Sequence, residues 1–177
     1  MIQSKNKLIN LRPIERSDLD QIQKWRNDSN VQPFFREYRE MSKEHISKWY
    51  ESMIPDNRFE FFIVEDQNNN PIGVSGLTYI DWVNRHTDIH LTVQEHNWID
   101  NIYAPEILNI MITYAFDFFN LNKVWAEIYE IDTKKLTLFM NNGFKTDAVL
   151  RNHYYHDGTY HNSHIVSLLK NEKNKNL

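Results

Sequence analysis

The order of elements in this chain predicts a mixed α/β sheet with helices on both faces. Three observations carry that expectation. Residues 87–129 read strand, loop, helix, strand, a parallel crossover unit that is right-handed in nearly all cases. Ahead of it, two apolar strands separated by Asp66-Gln67-Asn68-Asn69-Asn70-Pro71 read as a hairpin. After it, two further strands flank Asp157-Gly158, a strong two-residue hairpin signal.

The crossover unit organises the rest. From Thr87 to Val93 the residues alternate, with Ile89, Leu91 and Val93 facing one way and Asp88, His90 and Thr92 the other. Gln94 to Tyr103 has no regular period. From Ala104 to Phe116, Ile107, Leu108, Met111, Ile112, Ala115 and Phe116 recur at three- and four-residue steps, which predicts a helix. Pro105 falls in its first turn, where a missing N–H costs nothing. The free amides at the start of this helix point above the preceding loop and suit an anion. Lys123 to Tyr129 is the closing strand, with Val124, Ala126 and Ile128 on one face and Trp125, Glu127 and Tyr129 on the other.

The remaining elements follow in chain order. Lys7–Pro13 reads as a short strand. Asp18–Arg26 reads as a helix burying Leu19, Ile22 and Trp25, with Ser17 and Asp20 in a capping pattern. Asp28–Met41 is charged and aromatic but has no period. Ser42–Met53 reads as a helix presenting Ile46, Trp49 and Tyr50. Phe59–Glu65 and Ile72–Ile80 are the first hairpin strands. Asp132–Asn142 reads as a helix capped by Asp132 and ended by Gly143. Lys145–Tyr155 and Tyr160–Leu169 are the last two strands. Residues 1–170 are expected to form one domain, and residues 171–177 a polar tail.

Composition narrows the function. A length of 177 residues with 41% hydrophobic residues suits one domain with a sizeable core. A net charge of −4 argues against a nucleic-acid partner. The absence of cysteine excludes disulfides, thiolate metal sites and a cysteine nucleophile, and fits a reducing cytoplasm. No window approaches the roughly 20 apolar residues of a membrane span, so neither membrane association nor a signal peptide is expected.

Tyr114-Ala115-Phe116, then Leu121-Asn122-Lys123-Val124, then Leu138-Phe139-Met140-Asn141-Asn142-Gly143-Phe144 resemble the core of the GNAT acyltransferases. Leu11-Arg12-Pro13 and Trp25-Arg26-Asn27-Asp28 extend the resemblance to the front, so that it covers about Leu8 to Leu169. The likeness is to the branch that acetylates ribosomal-protein N-termini and amino sugars. It implies a mostly antiparallel sheet with one parallel, splayed strand pair. It also implies N-acyl transfer from acetyl-CoA to a small-molecule amine, without a metal, by a monomer or homodimer. Coenzyme A would lie between the strands ending at Val93 and Tyr129, beside Leu91, Thr92, Val93, Asp132 and Phe139. Its pyrophosphate would sit over the amides of Asp100, Asn101, Ile102, Tyr103 and Ala104. Two departures stand out. The family carries Arg/Gln-x-x-Gly-x-Gly/Ala at this loop, and the matching positions here are Ile99, Ile102 and Ala104, of which only Ala104 fits. The family's proton-donating tyrosine ahead of Gly-Phe is matched by Phe139, and the preceding asparagine of that motif by Asp132. Tyr129 and Tyr154 are candidate substitutes for the missing donor.

Acyl transfer to an amine needs orientation, a held oxyanion and a group to take the proton. Asp88, His90 and Glu127 occur on the polar faces of what should be neighbouring strands, and Asp88 matches a position where many relatives carry glutamate. Asp88 is the first candidate base, ahead of His90 and Glu127. Arg26, Arg36 and Arg39 cluster with Phe34, Phe35 and Tyr38, and Trp82 lies in a second aromatic loop. Arginines suit phosphate or carboxylate, so a nucleotide-linked amino sugar is the first expected acceptor, with a protein N-terminus or polyamine next. The competing reading of the arginines is a surface ion-pair cluster. His153, His156, His161 and His164 do not converge if Asp157-Gly158 is a two-residue turn, so no zinc site is expected. A non-catalytic ligand- or partner-binding protein of the same fold is the alternative function.

Overall fold

The computed structural model describes residues 2–4, 6–36, 39–93 and 102–173. Eight strands form one sheet: β1 (Ile2–Gln3), β2 (Ile9–Pro13), β3 (Glu60–Asp66), β4 (Pro71–Asp81), β5 (His86–Val93), β6 (Lys123–Tyr129), β7 (Lys145–His156) and β8 (Thr159–Leu169). Their order across the sheet is β1-β2-β3-β4-β5-β6-β8-β7. Every neighbouring pair is antiparallel except β5 and β6. That pair is in register only from His86↔Lys123 to Asp88↔Trp125. Beyond Asp88 the two strands part, so the backbone of β5 toward Val93 keeps its β4 partner but has none on the β6 side. The crossover expected from residues 87–129 is therefore present, with its splay.

Among the described residues, four α-helices cover the two faces: α1 (Leu19–Arg26), α2 (Lys43–Met53), α3 (Tyr103–Thr113) and α4 (Thr133–Asn141). The alternation of the strands sorts the core into two clusters. Ile89, Leu91, Val93, Val124, Ala126 and Ile128 pack with Ile107, Leu108 and Met111 of α3 and Leu138 and Phe139 of α4. On the other face Ile63 and Val74 pack with Leu19, Ile22 and Trp25 of α1 and Ile46 of α2. The two faces leave Asp88, His90, Glu127 and Tyr129 on the side of α1 and α2.

Local chemistry explains most element ends. Ser42 accepts the His45 N–H and starts α2, and Asp132 accepts the Lys135 N–H and starts α4. Gly143 at φ 87 closes α4. Asp157 and Gly158, at φ 47 and 78, form the turn that sets Tyr154↔His161 and His156↔Thr159. Asp66 accepts from the backbone of Asn68 and Asn70 and closes the β3–β4 hairpin.

Four details differ from the sequence expectation. The short strand β1 was not anticipated. The cap before α1 is built one turn earlier, with the Asp18 carboxylate accepting the Glu15 N–H at 2.9 Å ahead of a 3₁₀ turn at Arg16–Asp18. Ser17 and Asp20 play no such part. Helix α3 does not end in α geometry: Tyr114–Phe118 winds as a π-turn, and the Phe119 N–H reaches the Tyr114 carbonyl. The apolar spacing of Ala115 and Phe116 fits either winding, so it could not reveal the change. Strand β4 carries a bulge between Thr78 and Asp81, with Tyr79 at φ 52.

Candidate active site

A cavity of about 290 Å³ opens on the α1–α2 side and reaches through the β5–β6 splay to the first turn of α4. Its apolar walls are Trp25, Phe35, Trp49, Phe59 and Phe61, together with Tyr79, which the β4 bulge turns toward it. Its ionisable lining is Asp88 and His90 from β5, Glu127 and Tyr129 from β6, Asp132 and Lys135 from α4, and Arg26 and Arg36. The three sequence candidates for proton transfer are thus brought together. So are Leu91 and Thr92 from the expected donor notch.

Their environments separate them chemically. Asp88 is buried, and burial pushes its carboxyl up to about 6, against the opposing pull of Arg36 and Lys135. His90 is pushed down to about 3 by burial and then by Arg26, Lys135 and Arg36, so its ring is neutral and a poor base. The imidazole lies parallel to Phe35 at 6.2 Å and edge-on to Phe61 at 5.4 Å, with Thr92 Oγ1 at 3.3 Å from its Nε2. Of the three, Asp88 is the carboxyl whose proton affinity burial raises toward neutral pH.

The irregular segment between α1 and α2 folds over this cavity. Asn27 grips Met41 through both ends of its side-chain amide, at 2.9 and 2.8 Å. Tyr154 donates its hydroxyl to the Pro33 carbonyl while its ring stacks on Tyr129 at 3.8 Å. Arg26 lies over the Phe35 ring at 3.9 Å. Arg36 turns inward: its Nη2 stands 3.3 Å from Asp88 Oδ2 and 3.3 Å from Glu127 Oε2. A guanidinium therefore bridges the two carboxylates on the floor of the cavity. Burial opposes its charge, but Asp88 and Glu127 more than restore it.

Other anticipated residues are placed differently. Arg39 is exposed and does not line the cavity. Trp82 lies in the β4–β5 turn, donating to the Asn57 carbonyl and packing edge-on against Phe119, also away from the cavity. Phe139 is fully buried against Phe144 in the core. Asp100 and Asn101 fall outside the described residues. Ala104 is fully buried at the start of α3, and Ile102 precedes it at φ −72, 61% exposed. Among the described residues no group of three histidine or carboxylate side chains is arranged to hold a metal, and no helix is long and apolar enough to cross a membrane. His153 and His161 instead approach Glu127 and Glu130, at 3.6 and 3.4 Å.

Ile102 bears directly on the missing glycine. Its φ is ordinary, and its side chain points to solvent, so no strain needs relieving there. Ile102→Gly is expected to leave coenzyme A affinity within about threefold of wild type, because Ile102 is the N-cap of α3 and glycine is well tolerated there. Calorimetric titration of both proteins checks this. An affinity gain of tenfold or more would mean that Ile102 crowds the phosphates.

Residue 135 was not singled out from sequence. It sits four residues before Phe139, on the same helical face, and that spacing is the signal that could have found it. Its side chain enters the cavity between Asp132 and Asp88, and its Nζ has no hydrogen-bond partner among the described residues.

Comparison with known proteins agrees with this geometry. A family model described as an acetyltransferase (GNAT) domain matches residues 9–145. Spermidine N(1)-acetyltransferase of Vibrio cholerae is 26% identical over 168 residues, spanning 94% of this chain and 96% of that protein. The Escherichia coli (strain K12) spermidine N(1)-acetyltransferase is 23% identical over 155 residues, 88% and 82% of the two chains. A crystal structure of the Vibrio cholerae spermidine N-acetyltransferase with CoA and spermine superposes with a TM-score of 0.87 at 26% identity, over 94% of this chain and 98% of that one. These relatives act on a polyamine, whereas the sequence resemblance pointed to the ribosomal-protein and amino-sugar branch.

Proposed function

This chain belongs to the acetyltransferase (GNAT) family and is an acyl-CoA-dependent N-acetyltransferase; we propose that its acceptor is a polyamine. The observation that carries the proposal is the bridge from Arg36 to Asp88 and Glu127. Two carboxylates hold a cation at the centre of an aromatic-walled cavity, and the arginine occupies the position an acceptor's ammonium group would take. Aromatic walls add attraction for an alkylammonium chain. The same observation weakens the case for an anionic acceptor, because Arg36 is turned inward onto carboxylates. The relatives named as spermidine acetyltransferases point the same way.

The donor fits the splay. The backbone of β5 from Ile89 to Val93 has no β6 partner on one side, and an extended chain bearing amides can pair with such an edge. The small side chain of Ala104, buried at the start of α3, leaves room for a phosphate at the helix N-terminus, where the helix dipole favours an anion. Coenzyme A supplies the activated acyl group. The protein's part is to hold the amine against it, to exclude water with the segment carrying Phe35 and Arg36, and to take the amine's proton on Asp88.

The acceptor reading is tested by Arg36→Met. With the internal cation gone, the carboxylate pair is free for the ammonium of a polyamine. The KM for spermidine should fall about tenfold, a little above the bulk-water value of one charge pair because Arg36 is half-exposed, with coenzyme A affinity unchanged. A rise in spermidine KM, accompanied by turnover of a nucleotide-linked amino sugar that the same change abolishes, would restore the anionic acceptor.

A further inference from the structure

We infer that Lys135 is the catalytic acid that protonates the departing sulfur. The inference rests on the acyl-transfer reading of the cleft and names the group that replaces the missing tyrosine. Phe139 has no proton to give and is sealed in the core. Tyr129 is pushed up to about 12 by burial and then by Glu127, and its ring is covered by Tyr154. The hydroxyl proton of Tyr154 is already donated to Pro33. Arg26 and Arg36 do not release protons in this range, and the neutral ring of His90 is too weak an acid. Lys135 remains. It enters the cavity from the first turn of α4, on the β6 side of the splay, and its Nζ makes no hydrogen bond among the described residues.

The charged groups facing Lys135 set its acidity. Burial lowers it, Arg36 adds to that effect, and Asp132 at the start of its own helix and Asp88 from β5 oppose it. Neutral His90 is the remaining titratable neighbour on β5. The net direction is downward, so the ammonium is a stronger acid than an exposed lysine.

The step balances. Asp88, as carboxylate, accepts the proton lost by the amine as its nitrogen bonds to the acyl carbon. When the carbon–sulfur bond breaks, its electron pair goes to sulfur. Lys135 gives that sulfur a proton and becomes neutral. Asp88 then holds the proton that Lys135 needs, and the two lie in one cavity, so transfer between them or through water restores both.

The test uses Lys135→Met and Lys135→Arg with two donors, acetyl-CoA and an aryl thioester whose thiol leaves without protonation. With acetyl-CoA, Lys135→Met should lower kcat by on the order of a hundredfold, the lower end for general-acid catalysis given a thiol pKa of about 8.5. With the aryl thioester the loss should be under about threefold, because that leaving group asks for no proton. The alkaline fall of the wild-type kcat profile should vanish in Lys135→Met, and Lys135→Arg should not rescue. A readout without turnover accompanies these: thiolate absorbance of bound coenzyme A should titrate at lower pH in wild type than in Lys135→Met. Equal losses with both donors, or unchanged thiolate titration, would overturn the assignment. Failure of the wild type to bind coenzyme A or to release thiol with any amine would instead overturn the acyl-transfer reading.

Discussion

Asp88→Asn is expected to lower kcat by about a thousandfold, within the usual range for a general base, while leaving the protein folded and more stable. The rate effect follows from the position of Asp88 in the cavity and from a carboxyl raised to about 6 by burial. Wild-type kcat should therefore climb as pH rises through about 6, where Asp88 gives up its proton, and that limb should be missing from the variant. The stability effect has the opposite sign. A carboxyl whose folded value lies above its unfolded value of about 3.8 binds its proton more tightly in the folded state. Folding is then most favoured below the unfolded value and loses stability as pH rises to the folded value. Above that, ionised Asp88 costs on the order of 1–3 kcal/mol, which the amide removes. Thermal unfolding above neutral pH, measured beside kcat, checks both. A variant with lost activity and lost stability would make Asp88 a structural ion-pair partner rather than a base.

Glu127→Gln is expected to raise the KM for spermidine by about thirty- to several-thousandfold, with little change in coenzyme A affinity. Its carboxylate is buried to 12% side-chain exposure, 3.3 Å from the Arg36 guanidinium and 3.6 Å from His153 Nε2. Truncating one partner of a buried charge pair costs roughly 2–5 kcal/mol, and here the loss falls on whichever cation occupies the site. In the resting protein the loss is softened, because Arg36 keeps Asp88 and is half-exposed. In the acceptor complex it is not. The effect should appear in KM for di- and polyamines and shrink for a monoamine of similar length, which has no second charge to place. Initial-rate kinetics across such a series decides it; a uniform fall in kcat with unchanged KM would assign Glu127 to chemistry instead of acceptor binding.

The parts of the fold that the sequence made legible are those governed by local rules. Alternation in Thr87–Val93 and Lys123–Tyr129 located the parallel pair because each strand buries one face and leaves the other in the cleft. The Asp157-Gly158 turn set the last hairpin's register, because both residues must accept positive φ. The meeting of Asp88, His90 and Glu127 in one cavity was legible for the same reason: period-two faces predict which side chains share a side of a sheet. What stayed hidden depends on tertiary packing. The segment from Asp28 to Met41 has no period, so nothing local told whether Arg36 faced solvent or the carboxylates. Its inward turn is dictated by the Asn27–Met41 clamp and the Tyr154–Pro33 bond, which join residues far apart in sequence. Trp82 looked like a cleft residue from its loop, but its nearest aromatic partner is Phe119, beyond the π-turn. Lys135 carries no local signal of its own; only its place one turn before Phe139, on the same helical face, ties it to the cleft.

Polyamine acetylation in this cleft is the proposal on which the other expectations rest. Its most direct test is thiol release from acetyl-CoA by the purified wild-type protein, with spermidine and a nucleotide-linked amino sugar as competing acceptors and mass analysis of the products. Saturable thiol release with spermidine is expected, with a monoacetylated polyamine as product and a kcat/KM for the sugar lower by about a hundredfold or more, the discrimination that arises when buried carboxylates meet an anionic acceptor. Acetylation of the sugar in preference to spermidine, or binding of coenzyme A with no thiol release to any cationic amine, would contradict it.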